Sequence, residues 1–343
     1  MFLLWAAEPF GCSNGEEASG GSGSAAHSGG SSGAPPDLGL AGSRPSSTGG
    51  DGAGPVGGGG TVALGQEGVE RLEVAGGSYL MGRSEGGSDA CPPDQSCAPG
   101  ETPEHVVTVG KFWLDRFEVS VERFRPFYAA YPVGLPAAGA GAHPLIPGSG
   151  WQDAFATDLP ESRAQLLEQL VCGETATFSP EASAQEEFPI NCVPWPVAFL
   201  FCAVSGGRLP SEAEWERAAA GGDENRLYPW GADPPDAGRA SFFPSALGAV
   251  GTHASGRGRY GHDDLAGSVW EWALDWLDTN WYAAGGAECL DCARVSTGTH
   301  RVLRGGAYSF EAVTLRTAAR SGELPSGRKP SIGFRCAYDQ PPE

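Results

Sequence analysis

The pattern of apolar and polar residues changes near residue 65, and from there it becomes that of a folded chain. Apolar residues alternate with polar ones in short runs on either side of Gly76-Gly77, which predicts two strands around that turn. The same alternation recurs at 105–109 and 112–115, so two further strands are predicted there. Short strands therefore open the folded part, which we assign to residues 66–339.

Helices are predicted where a capping residue precedes apolar residues at helical spacing. Ser120 is placed to cap a helix that turns Phe124 and Phe127 to one side. Asp158 is placed to cap a second helix, with Pro160 in its first turn. Each of these helices is expected to bury one apolar face.

Two more helices are predicted in the middle of the chain. One begins near Pro196 and carries Phe199 among its apolar residues. The other starts at Ser211-Glu212-Ala213-Glu214, a capping box in which the hydroxyl and the carboxylate each accept a backbone amide. It is expected to end at Gly221-Gly222. Glycine and tryptophan recur in the chain after this helix, so we expect loops and short strands there.

The first 65 residues lack this pattern. Residues 13–65 are mainly Gly, Ser, Ala and Pro, and such a segment buries too little apolar surface to offset its ordering entropy. We expect a flexible tether with a root-mean-square reach of roughly 35–40 Å. Residues 1–12 end in Gly11-Cys12, which resembles a bacterial lipoprotein cleavage site with Cys12 as the lipid anchor. A plain signal remnant, or an accidental cysteine, is the open alternative.

The formal net charge of −20 restricts the partners of the protein. A chain this acidic is repelled by nucleic acids and by anionic lipid surfaces, so no nucleic acid partner is expected. The sequence contains no run of about 18 apolar residues that could span a membrane as a helix. Membrane contact is therefore expected only through the lipid anchor.

Eight of the nine cysteines lie in the folded part. An even number in a secreted-looking chain predicts disulfides, but spacing alone does not assign the pairs. Cys91 and Cys97 are close enough in sequence for a local disulfide. Cys289 and Cys292 form a C-x-x-C pair, for which a local structural disulfide and a metal or redox role both stay open.

Several motifs of the folded part are similar to those of the formylglycine-generating-enzyme, or sulfatase-modifying-factor, family. The run 207–216 reads Gly-Arg-Leu-Pro-Ser-Glu-Ala-Glu-Trp-Glu, and Arg304-Gly305-Gly306 follows later. Other matching segments keep the family's order, at 74–82, 113–120, 189–195, 228–231, 267–272 and 333–336. The resemblance implies an α+β domain with the formylglycine-generating-enzyme fold, which is C-type-lectin-like, irregular, rich in loops and stabilised by disulfides.

The resemblance stops at the residues that carry the family's chemistry. In the enzymes, two cysteines after Arg-Gly-Gly bind copper, and dioxygen then oxidises a substrate cysteine to formylglycine. Here Phe310 stands in the place of the first cysteine, no second cysteine follows, and Ala307 replaces a serine. Copper prefers soft thiolate ligands, which phenylalanine cannot supply, so copper is not expected as a cofactor.

The resemblance also concerns four of the remaining cysteines. It implies a disulfide between Cys202 and Cys336, and it leaves Cys172 and Cys192 as the natural remaining pair. The first of these disulfides would close a long loop, for which the entropic account gives about 4–5 kcal/mol as an upper figure.

A calcium site is the cofactor site that the resemblance implies. Its ligands would be the carboxylates of Asp264 and Glu271 and the backbone carbonyls of Gly267 and Val269. Hard oxygen ligands of this kind suit Ca²⁺. The alternative is that Glu271 caps a turn and Asp264 is a solvated loop residue.

Three functions stay open at this point. The retained scaffold and the missing cysteines favour a non-catalytic protein of the bacterial cell envelope, periplasmic or on the outer membrane or surface. Such a protein would bind a peptide, a glycan or a partner protein. The alternatives are a formylglycine-generating oxidase with non-standard ligands and a calcium-dependent glycan-binding protein.

Overall fold

The computed structural model describes residues 69–93, 95–98, 100–284 and 289–342. The predicted signal segment 1–12 and tether 13–65 lie outside the described residues. No helix in the described ranges has the length and apolarity needed to cross a membrane.

The strands β1 (Arg71–Val74) and β2 (Gly77–Met81) occur where they are predicted, but Gly77 is the first residue of β2 rather than part of a turn. The strands β3 (His105–Val109) and β4 (Phe112–Asp115) also occur where the alternation predicts them. Strands β1 and β2 do not pair with each other, however: β1 pairs with β4 and β2 pairs with β3, both antiparallel. A Cβ atom on Gly76 would lie 2.8 Å from the Lys111 backbone nitrogen, so this crossing between sheets requires glycine.

Six further strands complete the described sheets. They are β5 (Trp270–Trp276), β6 (Cys289–Leu290), β7 (Arg301–Arg304), β8 (Arg320–Glu323), β9 (Ile332–Gly333) and β10 (Ala337–Tyr338). In the described part of the chain, the strand orders are β1-β4-β10, β2-β3-β6 and β8-β7-β5-β9. The largest sheet carries the motifs around Trp270 and Arg304, and it therefore positions the candidate site.

The α-helices are α1 (Val121–Ala130), α2 (Arg163–Leu170), α3 (Trp195–Val204), α4 (Glu212–Ala219) and α5 (Trp281–Ala284). Short 3₁₀ helices lie at Asp153–Asp158, Gly222–Glu224, Ala254–Gly256 and Ala312–Leu315. The predicted cap of α1 by Ser120 and the capping box of α4 are both present. Helix α3 is apolar on all sides because it is buried in the main core.

The predicted cap of α2 by Asp158 is wrong. Asp158 is the last residue of a 3₁₀ helix, and α2 begins four residues later than a cap at Asp158 would place it. The Ser162 hydroxyl accepts the backbone N–H of Gln165 at 3.2 Å and so supplies the cap. Pro160 lies outside the helix, where its missing N–H and fixed φ fit an extended connection.

Three disulfides join cysteines that are both described in the structure, and their pairs are the ones predicted. Cys91 bonds to Cys97, Cys172 to Cys192, and Cys202 to Cys336 across 134 residues of sequence. The last one fastens α3 to the segment that leads into β10. Disulfides of this kind are consistent with an oxidising, extracytoplasmic location. The mixed α/β, loop-rich fold predicted by the resemblance is confirmed.

Candidate cation site and the adjoining aromatic patch

The loop before β5 has a backbone that L-residues rarely adopt. Asp264, Gly267 and Ser268 have φ angles of 57°, 80° and 58°. Positive φ in two residues with side chains requires support from the surrounding structure. Such a tightly wound loop turns successive carbonyls in different directions, as a loop that coordinates an ion does.

Neighbouring segments hold this loop through its backbone. The Gly267 N–H donates to the Gly305 carbonyl at 2.8 Å, and the Ser268 carbonyl accepts the Tyr308 N–H at 2.8 Å. A Cβ atom on Gly267 would lie 2.2 Å from the Ser241 carbonyl oxygen, so only glycine fits there. The loop therefore packs directly against the turn that contains Arg304-Gly305-Gly306.

Glu271, one of the predicted ligands, is an ion-pair partner in the structure. Its Oε2 accepts the Arg335 Nε–H at 2.7 Å, and its Oε1 accepts Nη2–H of the same guanidinium at 2.7 Å. Oε2 also accepts the Trp215 indole N–H at 2.9 Å. All three side chains are buried, and a bidentate pair of this kind is among the stronger polar contacts in proteins. Most of the accepting capacity of Glu271 is thus used inside the protein.

Glu118 is a functional candidate that the sequence did not reveal. Its side chain is 2% exposed, and neither carboxylate oxygen has a hydrogen-bond partner of good geometry. Burial and the negative charge of Asp264 raise the pKa of Glu118 well above its ordinary value, while Arg335 and the approach of Ser268 oppose the shift. A buried carboxylate without donors is unusual, and it is a group that a bound cation would stabilise.

Asp264, the other predicted carboxylate ligand, is 6% exposed rather than solvated. Its Oδ2 accepts the backbone N–H of Gly251, and its Oδ1 lies 3.9 Å from Nδ1 of His253. Burial raises the pKa of Asp264, and the Gly251 N–H and Arg335 lower it in part. The hydrogen-bond donors around Asp264 therefore do not fully replace the hydration that its carboxylate loses on burial.

The donor set fits a hard divalent cation. Glu118 and Asp264 bring two carboxylates into one buried region, and Ca²⁺ prefers carboxylate and carbonyl oxygens. Within the described ranges, the only tight group of three potential ligands is Cys91, Cys97 and Glu101, whose sulfurs are joined in a disulfide. Glu271 therefore does not complete a tight trio with Glu118 and Asp264. The carbonyls of Gly267 and Val269 stay predicted ligands beside these two carboxylates.

Phe243, Trp270 and Phe310 form an aromatic patch. Phe310 is 40% exposed, and its ring meets that of Trp270 edge-on with centroids 5.7 Å apart. The Phe310 carbonyl accepts the Phe243 N–H at 2.9 Å, and Phe243 is 53% exposed. Two large exposed aromatic side chains on segments that are hydrogen-bonded to each other are more typical of a binding surface than of solvated protein surface.

No free thiol adjoins this patch in the part of the chain that the structure describes. The six cysteines of the three disulfides are joined in pairs, and Cys292 is disulfide-bonded as well. The Cys289 side chain lies outside the described residues, so its predicted bond to Cys292 stays a prediction. Cys292 is also separated from the patch. It lines a small cavity together with Asp275, and Asp275 is five residues along β5 from Trp270, which is roughly 16 Å in an extended strand.

Comparisons with known proteins agree with this geometry. The profile of the sulfatase-modifying factor enzyme 1-like domain matches residues 63–340. The formylglycine-generating enzyme of Thermomonospora curvata is 32% identical over 295 residues, which cover 78% of this chain and 93% of that protein. The inactive C-alpha-formylglycine-generating enzyme 2 of Bos taurus is 29% identical over 293 residues, covering 78% and 88%.

A solved structure shows the same fold at lower sequence similarity. PvdO from Pseudomonas aeruginosa superimposes with a TM-score of 0.54 and 20% identity, covering 79% of this chain and 94% of that one. Since the domain profile spans most of the chain and a relative with over 30% identity is covered almost completely, the chain belongs to the family of sulfatase-modifying factor enzyme 1-like domains.

Proposed function

We propose that this chain is a non-catalytic member of its family that binds a peptide segment through the aromatic patch. The observation that carries the proposal is the exposed ring of Phe310, at the position that the resemblance assigns to the first copper-binding cysteine of the enzymes. Every cysteine whose side chain is described is disulfide-bonded, and a disulfide sulfur is not a thiolate ligand. The family includes both active enzymes and a protein called inactive, so a loss of activity has a precedent within it.

The buried cation site has a structural role in this proposal. The loop 264–268 donates to and accepts from the turn that leads into the patch. A Ca²⁺ ion held by Glu118 and Asp264 would supply the charge that these two carboxylates lack and would fix the loop. The loop would then hold Tyr308 and, two residues on, Phe310 in place.

The burial of the same site argues against calcium-dependent glycan binding. Glu118 and Asp264 are 2% and 6% exposed, so an ion between them would be out of reach of a sugar hydroxyl. A glycan array, probed with and without EDTA, tests this alternative. Binding that requires calcium would favour the lectin function over the one proposed.

The first experiment asks for the family's chemistry. The purified protein is incubated with copper, dioxygen and a peptide that contains the sulfatase-type sequence Cys-x-Pro-x-Arg, with the Thermomonospora curvata enzyme as the positive control. We expect no aldehyde product, because no described thiolate is available to hold copper. Formation of formylglycine by this chain would overturn the proposal.

The second experiment measures binding without chemistry. The same peptide, with serine in place of its cysteine, is labelled and titrated with the protein while fluorescence anisotropy is followed. Phe310→Ser should weaken binding about fivefold or more, since burying an aromatic ring contributes more than about 1 kcal/mol. Leu135→Ser is the matched control, since Leu135 is 58% exposed and lies outside the patch. Equal effects of the two substitutions would contradict the assignment of the patch.

We further propose that the domain is held at the bacterial cell envelope by a lipid on Cys12. The disulfides support an oxidising compartment. Cys12→Ser should move the full-length protein from the detergent phase to the aqueous phase in a phase-separation assay, and an unchanged partition would contradict the anchor.

A further inference from the structure

A cavity of about 280 Å³ lies at the far end of β5 from the aromatic patch. Its aromatic walls are Phe155, Trp195 and Trp276, and its polar lining includes Asp158, Thr297 and Arg301. Trp276 and Trp270 are six residues apart on β5, which is roughly 20 Å in an extended strand. This cavity is therefore separate from the patch, and its function does not depend on the one proposed above.

Arg301 is an unpaired cation in the wall of this cavity. Its guanidinium carbon lies 3.7 Å from the ring centre of Trp195 and 3.6 Å from that of Trp276, so the charge lies between two indoles. The side chain is 3% exposed, and Nη1–H donates to the Leu274 carbonyl at 2.6 Å. Nε has no hydrogen-bond partner, and no carboxylate in the described ranges forms an ion pair with Arg301.

The guanidinium of Arg301 carries a positive charge in this buried position. Burial lowers the pKa of Arg301 to about 9, and the charge of Asp275 opposes the shift, so the guanidinium is still protonated at neutral pH. The two indole faces stabilise a cation, but they supply no hydrogen-bond acceptor. The other buried arginines of the large sheet each have a carboxylate partner, for example Arg304 with Glu216 and Arg320 with Glu212. Arg301 therefore lacks an anion that its neighbours have.

The other residues that line the cavity indicate what kind of ligand could bring an anion to Arg301. Asp158 is exposed at the rim and forms no ion pair within the described residues. No ion pair joins Asp158 to Arg301, so the lining of the cavity contains a cation and a separate anion. Aromatic and aliphatic walls together with one cation and one anion suit a small ligand that has an apolar body and carries both charges.

We propose that this cavity binds a free α-amino acid with an aromatic or large apolar side chain. The carboxylate of the ligand would accept from the guanidinium of Arg301, which is the geometry that arginine offers best. The ammonium would face Asp158 at the rim, and the side chain would lie among Phe155, Trp195 and Trp276. A cavity of about 280 Å³ is large enough for one such molecule and too small for a folded partner.

The test compares three ligands by titration calorimetry at pH 7. L-phenylalanine carries both charges, L-phenylalaninamide lacks the carboxylate, and N-acetyl-L-phenylalanine lacks the ammonium. We expect the amide to bind at least about tenfold more weakly than phenylalanine, because a charge-assisted contact is lost. N-acetylation should weaken binding about two- to fivefold, because Asp158 is exposed and its contact is screened.

Two substitutions locate the site on the protein. Thr297→Trp should block the cavity and weaken phenylalanine binding at least about tenfold, whereas Thr299→Trp, an exposed neighbour outside the lining, should leave it unchanged. Arg301→Gln should abolish binding of phenylalanine. If the Arg301→Gln variant does not fold, the Thr297→Trp variant still tests whether the cavity is the binding site.

Three results would overturn the proposal. They are no binding of phenylalanine by the unmodified protein, equal binding of the amide, or equal binding by the Thr297→Trp variant. Binding of the N-acetyl derivative as tight as that of phenylalanine would overturn the assignment to a free amino acid.

Discussion

Glu271 and Glu118 are two buried carboxylates under the influence of the same Arg335, but only Glu271 forms an ion pair with it. Glu271 accepts three hydrogen bonds, whereas Glu118 accepts none of good geometry. The paired arrangement recurs across the scaffold, in Arg208–Glu214, Arg304–Glu216, Arg316–Glu101 and Arg320–Glu212. Pairing thus marks carboxylates that hold the scaffold together, and its absence singles out Glu118 as the carboxylate for which we propose a bound cation.

The largest effect is expected when the paired carboxylate loses its partner. Arg335→Met leaves Glu271 buried without its cation, which should lower the free energy of unfolding by about 3–5 kcal/mol. Urea denaturation followed by tryptophan fluorescence measures the loss. In the double variant Arg335→Met/Glu271→Leu, much of that stability should return, because no unpaired charge is left. A loss below about 1 kcal/mol in the single variant would mean that the pair is not part of the scaffold.

A smaller effect on the free energy of unfolding is expected at Glu118, the unpaired carboxylate, and this effect requires calcium. Calcium at a hundred times its dissociation constant should raise the free energy of unfolding of the unmodified protein by about 2.7 kcal/mol. Glu118→Gln should remove most of this gain, because a neutral amide is a weaker ligand than a carboxylate. Glu122→Gln, which changes an exposed residue of α1, is the matched control and should keep the gain. A full calcium response in the Glu118→Gln variant would exclude Glu118 as a ligand.

The smallest effect is a difference in pH dependence, measured without calcium. The pKa of Glu118 is raised in the folded state, so between the unfolded and folded pKa values the native state holds a proton that the unfolded state has released. Stability from this group is present at low pH and falls as the pH rises above about 4.5, by at most about 1.4 kcal/mol per pH unit.

Other groups also titrate in this range, and a variant isolates Glu118 from them. Burial lowers the pKa of His262 to about 3, so this group contributes stability that rises with pH up to its ordinary value. The difference between the unmodified protein and Glu118→Gln cancels that contribution. The decline with pH should therefore be steeper in the unmodified protein, and identical profiles would mean that Glu118 is not destabilised by burial.

Local signals predicted local structure well. The strands that flank Gly76, the cap of α1 and the capping box of α4 each depend on residues close together in the sequence, and all occur where predicted. Asp158 and Ser162 are both good caps in sequence, so spacing alone did not separate them. The pairing of β1 with β4 depends on contacts about forty residues apart, which no local pattern contains.

The candidate site was predictable only in part. Asp264 and Gly267 belong to a motif that the resemblance carries, and the structure places them in one wound loop. Glu118 looks like an ordinary polar residue near a strand end, because burial of a carboxylate is decided by segments far away in sequence. The same holds for Arg301, whose two indole neighbours come from α3 and β5.

At Gly76 the chain passes from one sheet to another, and this crossing affects how the domain would resist a pulling force. Any pull on the chain ahead of residue 71 acts first on β1, whose four residues pair along β4 and would have to slide past it in shear. Strand β4 also pairs with β10, which follows Cys336 and thus the covalent link to α3. Load that enters at the amino-terminal strand is thereby passed to α3, a helix buried in the main core, so the first strand and the core would resist a pull together.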